Sequence, residues 1–322
     1  MEKIPLKELL DSKFWTRRFY QAEEWLWQST SFQPVGGMDA IGRKLRENIE
    51  THEKGSLKLR HQVTKIEREN DGKWSLLFAN GHREKYDIVI SNIPLPLLKG
   101  VVNYDNFSND FKLALEKVVS SELFRPLLKV GWQAERKLWQ EPTNPNDIPI
   151  FGGISYTSDE IAQMWYPSND FHDRWGTLTG AYNYDNEAVK WGTWSFKERE
   201  EEARKCAANL HGTEFAKQLK NFVTIAWQNV KFCAGGYTDW SKVCGKTSQE
   251  KCKVYNDLVC GDQSRSFYIV GDQLSHLPAW KEGAISSAEN AVAIVTGVEK
   301  YVPPKITSLP DADALVMGPS YL

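Results

Sequence analysis

A chain of 322 residues is long enough to bury a sizeable core, as one large domain or two moderate ones. Its 40 Lys+Arg against 42 Asp+Glu leave no basic excess for nucleic acid or an anionic membrane surface. No apolar run approaches the roughly 20 residues that cross a bilayer, and the N-terminal MEKIPLKELLDSKFW is charged throughout rather than built like a signal peptide, so a cytoplasmic protein with no membrane contact is expected.

In chain order, residues 1–30 read as helical, with Phe14, Trp15, Phe19, Trp25, Leu26 and Trp27 interleaved with Arg and Glu. A break at Pro34-Val35-Gly36-Gly37 precedes a helical run to Ile49, and paired glycines there let the backbone pass close to a neighbour. Residues 57–67, 73–79 and 86–91 read as strands, with Asn80-Gly81 turning the second into the third. Composition changes over 106–255. A helix is expected over 111–119 and a strand over 127–132 that carries Lys129 among apolar residues. Further strands are expected over 148–154, 176–182 and 221–227, with an amphipathic helix over 196–210. The five cysteines (Cys206, Cys233, Cys244, Cys252, Cys260) form an odd set without a CxxC pair, which favours reduced thiols over a disulfide framework or zinc. Thirteen tryptophans fit a well-filled core and equally an aromatic ligand pocket. Residues 301–322, with Pro303, Pro304, Pro310 and Pro319, read as an extended tail.

The stretch 268–295 is the most informative. An apolar strand (Tyr268, Ile269, Val270) stops at Gly271-Asp272, a loop holds Pro278, Ala279 and Trp280, and Glu282-Gly283-Ala284 opens a helix of small residues. Strand, loop and helix N-terminus make an ordinary βα unit, and also a way to hold an anionic or electron-rich ligand group. The residue order G-D-x-x-x-H-x-x-x-W-x-E-G-A-x-x-S resembles the C-terminal flavin-binding signature of the flavin amine oxidases, which include monoamine, polyamine and L-amino acid oxidases. Four more features share that resemblance: PVGGMDAI with Gly36 and Gly37; the strand bearing Val63, followed by SNIPLP; Lys129 ten residues before Trp139; and Trp227 ten residues before the Tyr237 of GGY. Leu138 departs from the family's usual aromatic before Trp139, and Asp272 replaces a more common Glu.

The resemblance implies FAD as cofactor and a set of roles. Lys129 would hold a water near flavin N5, and Tyr237 and Trp280 would form an aromatic cage. Gly36, Gly37, Val63, Gly271, Asp272, Trp280, Gly283, Ala284 and Ile285 would contact the cofactor, with no metal. Taken singly, Val63 reads as a buried strand residue, Lys129 as a solvent-facing strand lysine and Tyr237 as a loop tyrosine. The implied fold is mixed, α/β and α+β: an incomplete FAD-binding Rossmann-like domain (31–105 and 256–300) plus a mixed-sheet substrate domain flanked by helices (106–255), with 1–30 a helical segment of the substrate domain. The sequence contains no GxGxxG, the phosphate-cradling turn of the family. The chain is therefore expected to bind FAD weakly or not at all alone and to be inactive without a partner chain carrying that half. It would be a subunit of a split or processed oxidase, an incomplete reading frame, or a degenerate relative. The implied reaction is oxidative deamination of an L-amino acid by O2, giving H2O2, a 2-oxo acid and ammonia. A tryptophan-2-monooxygenase-like oxidative decarboxylation and a non-catalytic interaction subunit remain alternatives.

Overall fold

The computed structural model describes residues 34–141, 148–168 and 173–297, so the helix expected over 1–30 and the tail expected over 301–322 lie outside the described residues. In chain order the elements are α1 (Asp39–Thr51), β1 (Val63–Arg68), β2 (Trp74–Phe78), β3 (Arg83–Tyr86), β4 (Val89–Ser91), α2 (Leu95–Leu98), α3 (Asn109–Val119), β5 (Phe124–Arg125) and β6 (Leu127–Ala134). They continue with β7 (Ile154–Tyr156), β8 (Gln163–Trp165), β9 (Gly176–Tyr184), α4 (Asp185–Gly192), α5 (Phe196–His211), α6 (Thr213–Gln218) and β10 (Leu219–Ala226). The last are β11 (Tyr237–Thr238), α7 (Ser248–Val259), β12 (Phe267–Ile269) and α8 (Lys281–Thr296). The fold is mixed α/β, and no helix among the described residues is long and apolar enough to cross a membrane.

The described residues divide into two compact units, one of those before Glu122 and after Thr238 and one of those within Glu122–Thr238. The second is narrower at both ends than the 106–255 expected from composition. The physical reason is that α3 and α7, which flank it in sequence, pack on each other within the first unit.

In the first unit β1, β2 and β3 form an antiparallel meander. Its second turn is the Asn80-Gly81 pair, with Gly81 at φ +82° and its N–H donating to Phe78 O at 2.9 Å. Trp74, fully buried, joins the meander to the rest of the unit: its indole N–H donates to Ser266 Oγ at 3.0 Å and its ring meets Phe107 and Phe267. β4 pairs in parallel with β12, and α8 lays Ala291 against Tyr268 and Val270. Only the end of the strand expected over 57–67 is regular, because the ladder to β2 begins at Val63.

In the second unit five antiparallel strands run in the order β10-β6-β9-β8-β7. Leu128, Val130, Trp132, Leu178 and Ala181 face a core filled by Ala188, Trp191, Ala203, Cys206, Ala207 and Phe215 from α4, α5 and α6. The helix expected over 196–210 is α5, and its start is fixed by a capping box between Ser195 and Glu198. The strand expected over 148–154 lies instead at β7, and β8 is an additional strand.

One irregularity decides what the other face of this sheet carries. On β6, Lys129, Gly131 and Gln133 point away from the core, and pleat alternation continues without a break. On β9 the register slips: Gly131 opposes Thr179 while Val130 opposes Ala181, so Gly180 is an extra, bulged residue. Gly176 and the Leu178 side chain lie on the core side before the bulge; after it Ala181 and Asn183 do, and Tyr182 and Tyr184 turn outward. The bulge is the seat of Trp132, since a Cβ on Gly180 would sit 2.3 Å from the indole Cδ1.

Candidate functional site

In the first unit the site is built on the β12–α8 connection. Gly271 ends the strand at φ +113°, and a Cβ there would lie 2.3 Å from Asn92 Oδ1. Asp272 follows, half-buried, and its Oδ2 accepts from the backbone N–H of Ala279 at 2.9 Å, closing the loop that presents Trp280. One carboxylate oxygen of Asp272 is thus engaged inside its own loop. Trp280 is 38% exposed and stands at the N-cap of α8, which has no side-chain cap. Gly283 is buried in the first turn: a Cβ there would lie 2.1 Å from Leu277 O and 2.5 Å from Ser275 Oγ. The helix start can sit this close to the loop only without a side chain. Ala284 is half-buried, and Ile285 is 54% exposed.

Gly36 and Gly37 occupy the turn before α1, at φ +84° and +87°, with Gly37 N–H donating to Pro34 O at 3.1 Å. Positive φ at both explains the glycine pair. Val63 is half-buried at the first residue of β1, beside the register shift between Val63 and Lys65.

Burial raises the Asp272 carboxyl above the ordinary carboxylate range, against the lowering effect of backbone hydrogen bonds from Ala279 and Gln273. A carboxyl with a raised folded pKa stabilises the fold most when protonated, so its contribution is complete below the unfolded value and is lost as pH rises through the folded value. Asp272→Asn removes that titration. Its stability relative to the parent chain is expected to rise as pH is raised from below the ordinary carboxylate range through the raised folded value, read by urea denaturation at each pH. A constant difference would contradict the assignment.

In the second unit Lys129 lies exposed on the open face of β6, opposite Tyr182 on β9 and Ile225 on β10. Tyr237 is buried on β11, which pairs with β5 through Tyr237 and Arg125. The glycines before it allow the approach: Gly236 N–H donates to Arg125 O at 2.9 Å, and a Cβ on Gly236 would lie 2.3 Å from Leu127 Cβ. Arg125 is itself held by Asp185, with Nε 2.6 Å from Oδ1 and a second contact to Oδ2. Arg125 and Asp185 are both partly exposed, so the pair is worth little beyond fixing the arginine.

Lys129 and Tyr237 are joined by two residues that the sequence reading missed. Tyr182 stacks on Tyr184, with centroids 4.7 Å apart, and Tyr184 meets Tyr237 edge-on at 6.5 Å. Regular alternation along 176–182 puts Tyr182 on the core side with Leu178, and only the bulge reverses this. The available signal was the Gly180-Ala181 pair inside the strand, since a strand-interior glycine often marks a bulge.

The residues of the first unit suit the electron-rich part of a flavin. A first turn without a side-chain cap directs its N–H groups toward negative charge, and Gly271 and Gly283 let Asn92 and the Leu277 loop pack closely behind it. Among the described residues no group of three or more His, Cys, Asp or Glu could hold a metal ion.

Comparison with known proteins agrees. The family model for flavin-containing amine oxidoreductases matches residues 7–296. L-amino-acid oxidase 4 of Hebeloma cylindrosporum is 26% identical over 265 residues, covering 75% of this chain and 40% of that protein. The flavin-dependent L-tryptophan oxidase RebO of Lentzea aerocolonigenes is 25% identical over 269 residues, covering 81% of this chain and 52% of that protein. Among solved structures, a triple mutant of putrescine oxidase with redesigned cofactor binding superposes with a TM-score of 0.62 at 16% identity, covering 81% of this chain and 53% of that one. Wild-type putrescine oxidase bound to putrescine gives a TM-score of 0.61 at 15% identity. The chain thus spans about half the length of these relatives. It belongs to the family of flavin-containing amine oxidoreductases.

Proposed function

We propose that this chain supplies the ring-closing and substrate-facing part of an FAD-dependent oxidase of L-amino acids, completed by a polypeptide segment that carries GxGxxG. The observation that carries the reading is Lys129 on the open face of β6, at the head of an aromatic run that ends in Tyr237. The two oxidase relatives act on amino acids by their names, which favours an amino acid over a simple amine.

Bound FAD would supply the redox chemistry, hydride acceptance from the substrate Cα and reoxidation by O2 to H2O2. The remaining work falls to the chain. The Lys129 ammonium donates a hydrogen bond to a water and delivers a proton as O2 is reduced. Trp280, exposed at the start of α8, would offer aromatic surface that excludes bulk water, and the same role is proposed for Tyr237 within its own unit. The start of α8 stabilises negative charge brought to its N–H groups. The imino acid leaves, and water converts it to the 2-oxo acid and ammonia.

The test is co-production of this chain with a GxGxxG-bearing segment. A yellow complex that releases H2O2 from L-amino acids, and much less from putrescine, is the expected outcome. A colourless complex, or one that yields no peroxide with any L-amino acid, overturns the reading. Within such a complex Lys129→Met is expected to slow turnover with O2 by about 10²–10⁴-fold, the usual weight of a positioned proton donor. Stopped-flow reoxidation checks this directly, and an undiminished rate removes Lys129 from the mechanism.

A further inference from the structure

The bulge at Gly180 brings Tyr182 opposite Lys129 on the open face, and the two side chains meet. Lys129 Nζ lies 4.2 Å from the centroid of the Tyr182 ring. An ammonium over a phenol face is held by the ring quadrupole. The ring is itself confined: Tyr184 stacks on it at 4.7 Å and 22°, and Trp165 lies 6.0 Å away. Tyr184 is braced in turn by the edge of Tyr237. Burial among these rings, with Tyr182 beside it, pushes the Tyr184 hydroxyl far above the ordinary phenol range, so the ring that braces Tyr182 stays neutral. On the other flank Lys129 faces the aliphatic Ile225. The tyrosine ring is therefore the group that limits where a long, flexible lysine chain can put its charge.

We infer that Tyr182 is the positioning residue of Lys129, its ring fixing the ammonium above the open face while Tyr184 holds the ring. The inference rests on the role proposed for Lys129, but the contact can be read without it. Lysines of the full chain are reductively dimethylated with 13C-formaldehyde, which keeps their charge, and the Lys129 resonance is assigned by its loss in Lys129→Arg. It is expected upfield of the other lysines, shifted by the ring current of Tyr182. Tyr182→Phe keeps that shift, and Tyr182→Leu abolishes it. A Lys129 resonance lying among the other lysines in the parent chain overturns the inference, and the only variant that this reading needs is the charge-conserving Lys129→Arg on an exposed position.

In the flavin-loaded complex Tyr182→Leu is expected to lower kcat by about twofold to thirtyfold, the span of one cation–π contact, with KM nearly constant. Tyr182→Phe restores the rate. In a Lys129→Met background Tyr182→Leu adds nothing, because the two residues act through one contact. Equal losses with and without Lys129 would mean that Tyr182 only supports the sheet, and the inference falls. If Lys129→Met itself leaves turnover intact, the proposed mechanism fails while the methyl resonance still decides the contact.

Discussion

Gly283→Ala is expected to destabilise this protein, although glycine-to-alanine in a helix ordinarily does the reverse. Intrinsic propensity favours alanine by about 0.8–1.0 kcal/mol in a helix interior. At Gly283 the new methyl would lie 2.1 Å from Leu277 O and 2.5 Å from Ser275 Oγ. A hydroxyl can rotate away; a backbone carbonyl in the loop closed by Asp272 and Ala279 cannot move without shifting the loop. Overpacking of this kind costs about 1–3 kcal/mol and sometimes more, which exceeds the propensity gain. Gly42 is the internal control. It lies in the exposed helix α1, and a Cβ there meets nothing nearer than Asp39 Oδ1 at 4.0 Å. Gly42→Ala is expected to gain up to about 1 kcal/mol by the same propensity. Opposite signs for two Gly→Ala changes, measured as urea midpoints at constant slope, would locate the effect in the contact. In the flavin-loaded complex only Gly283→Ala should also weaken FAD retention, because it moves the first turn of α8 and Trp280 with it. A stabilised Gly283→Ala variant would refute the close-packing account of this helix start.

The same contrast separates what was legible in the sequence from what was not. Tyr268-Ile269-Val270 followed by Gly271 and a run of small residues announces strand, turn and helix through local chemistry alone, and β12 and α8 lie there. Asn80-Gly81 likewise announces its own turn. The apolar context of Lys129 marks a strand, and β6 spans it. Features set by a distant partner were not legible. The extra residue at Gly180 exists because Trp132, nearly 50 positions earlier in the chain, needs the space. A glycine inside the strand hints at a bulge, but nothing near it names Trp132 as the cause. Residues 57–62 alternate like a strand yet have no ladder partner among the described residues until Val63 meets Phe78. The packing of α3 on α7 joins helices at Asn109–Val119 and Ser248–Val259 that are far apart in the chain, and no local pattern at either helix names the other.

Gly180 therefore supports the second large prediction. Gly180→Val is expected to cost about 1–3 kcal/mol or more, because its Cβ would lie 2.3 Å from Trp132 Cδ1 and 2.6 Å from Nε1. The indole has little room to retreat: it is 2% exposed, with Phe222 at 4.7 Å and the Arg204 guanidinium over its ring at 4.5 Å. Deletion of Gly180 should be worse than any side chain placed there. Removing the extra residue restores regular pairing with β6, and a one-residue slip turns every following side chain to the opposite face. Tyr182 and Tyr184 would then point among Leu128, Val130 and Trp191, each hydroxyl costing about 1–3 kcal/mol if left without a partner. Ala181 and Asn183 would leave that core. Domains carry only about 5–15 kcal/mol of stability, so the deletion is expected to unfold the second unit. Near-UV circular dichroism would read the loss, given the aromatic stacking in that sheet. A deletion variant that keeps its near-UV spectrum and its Lys129 ring-current shift would show that the bulge does not set the face on which Tyr182 meets Lys129.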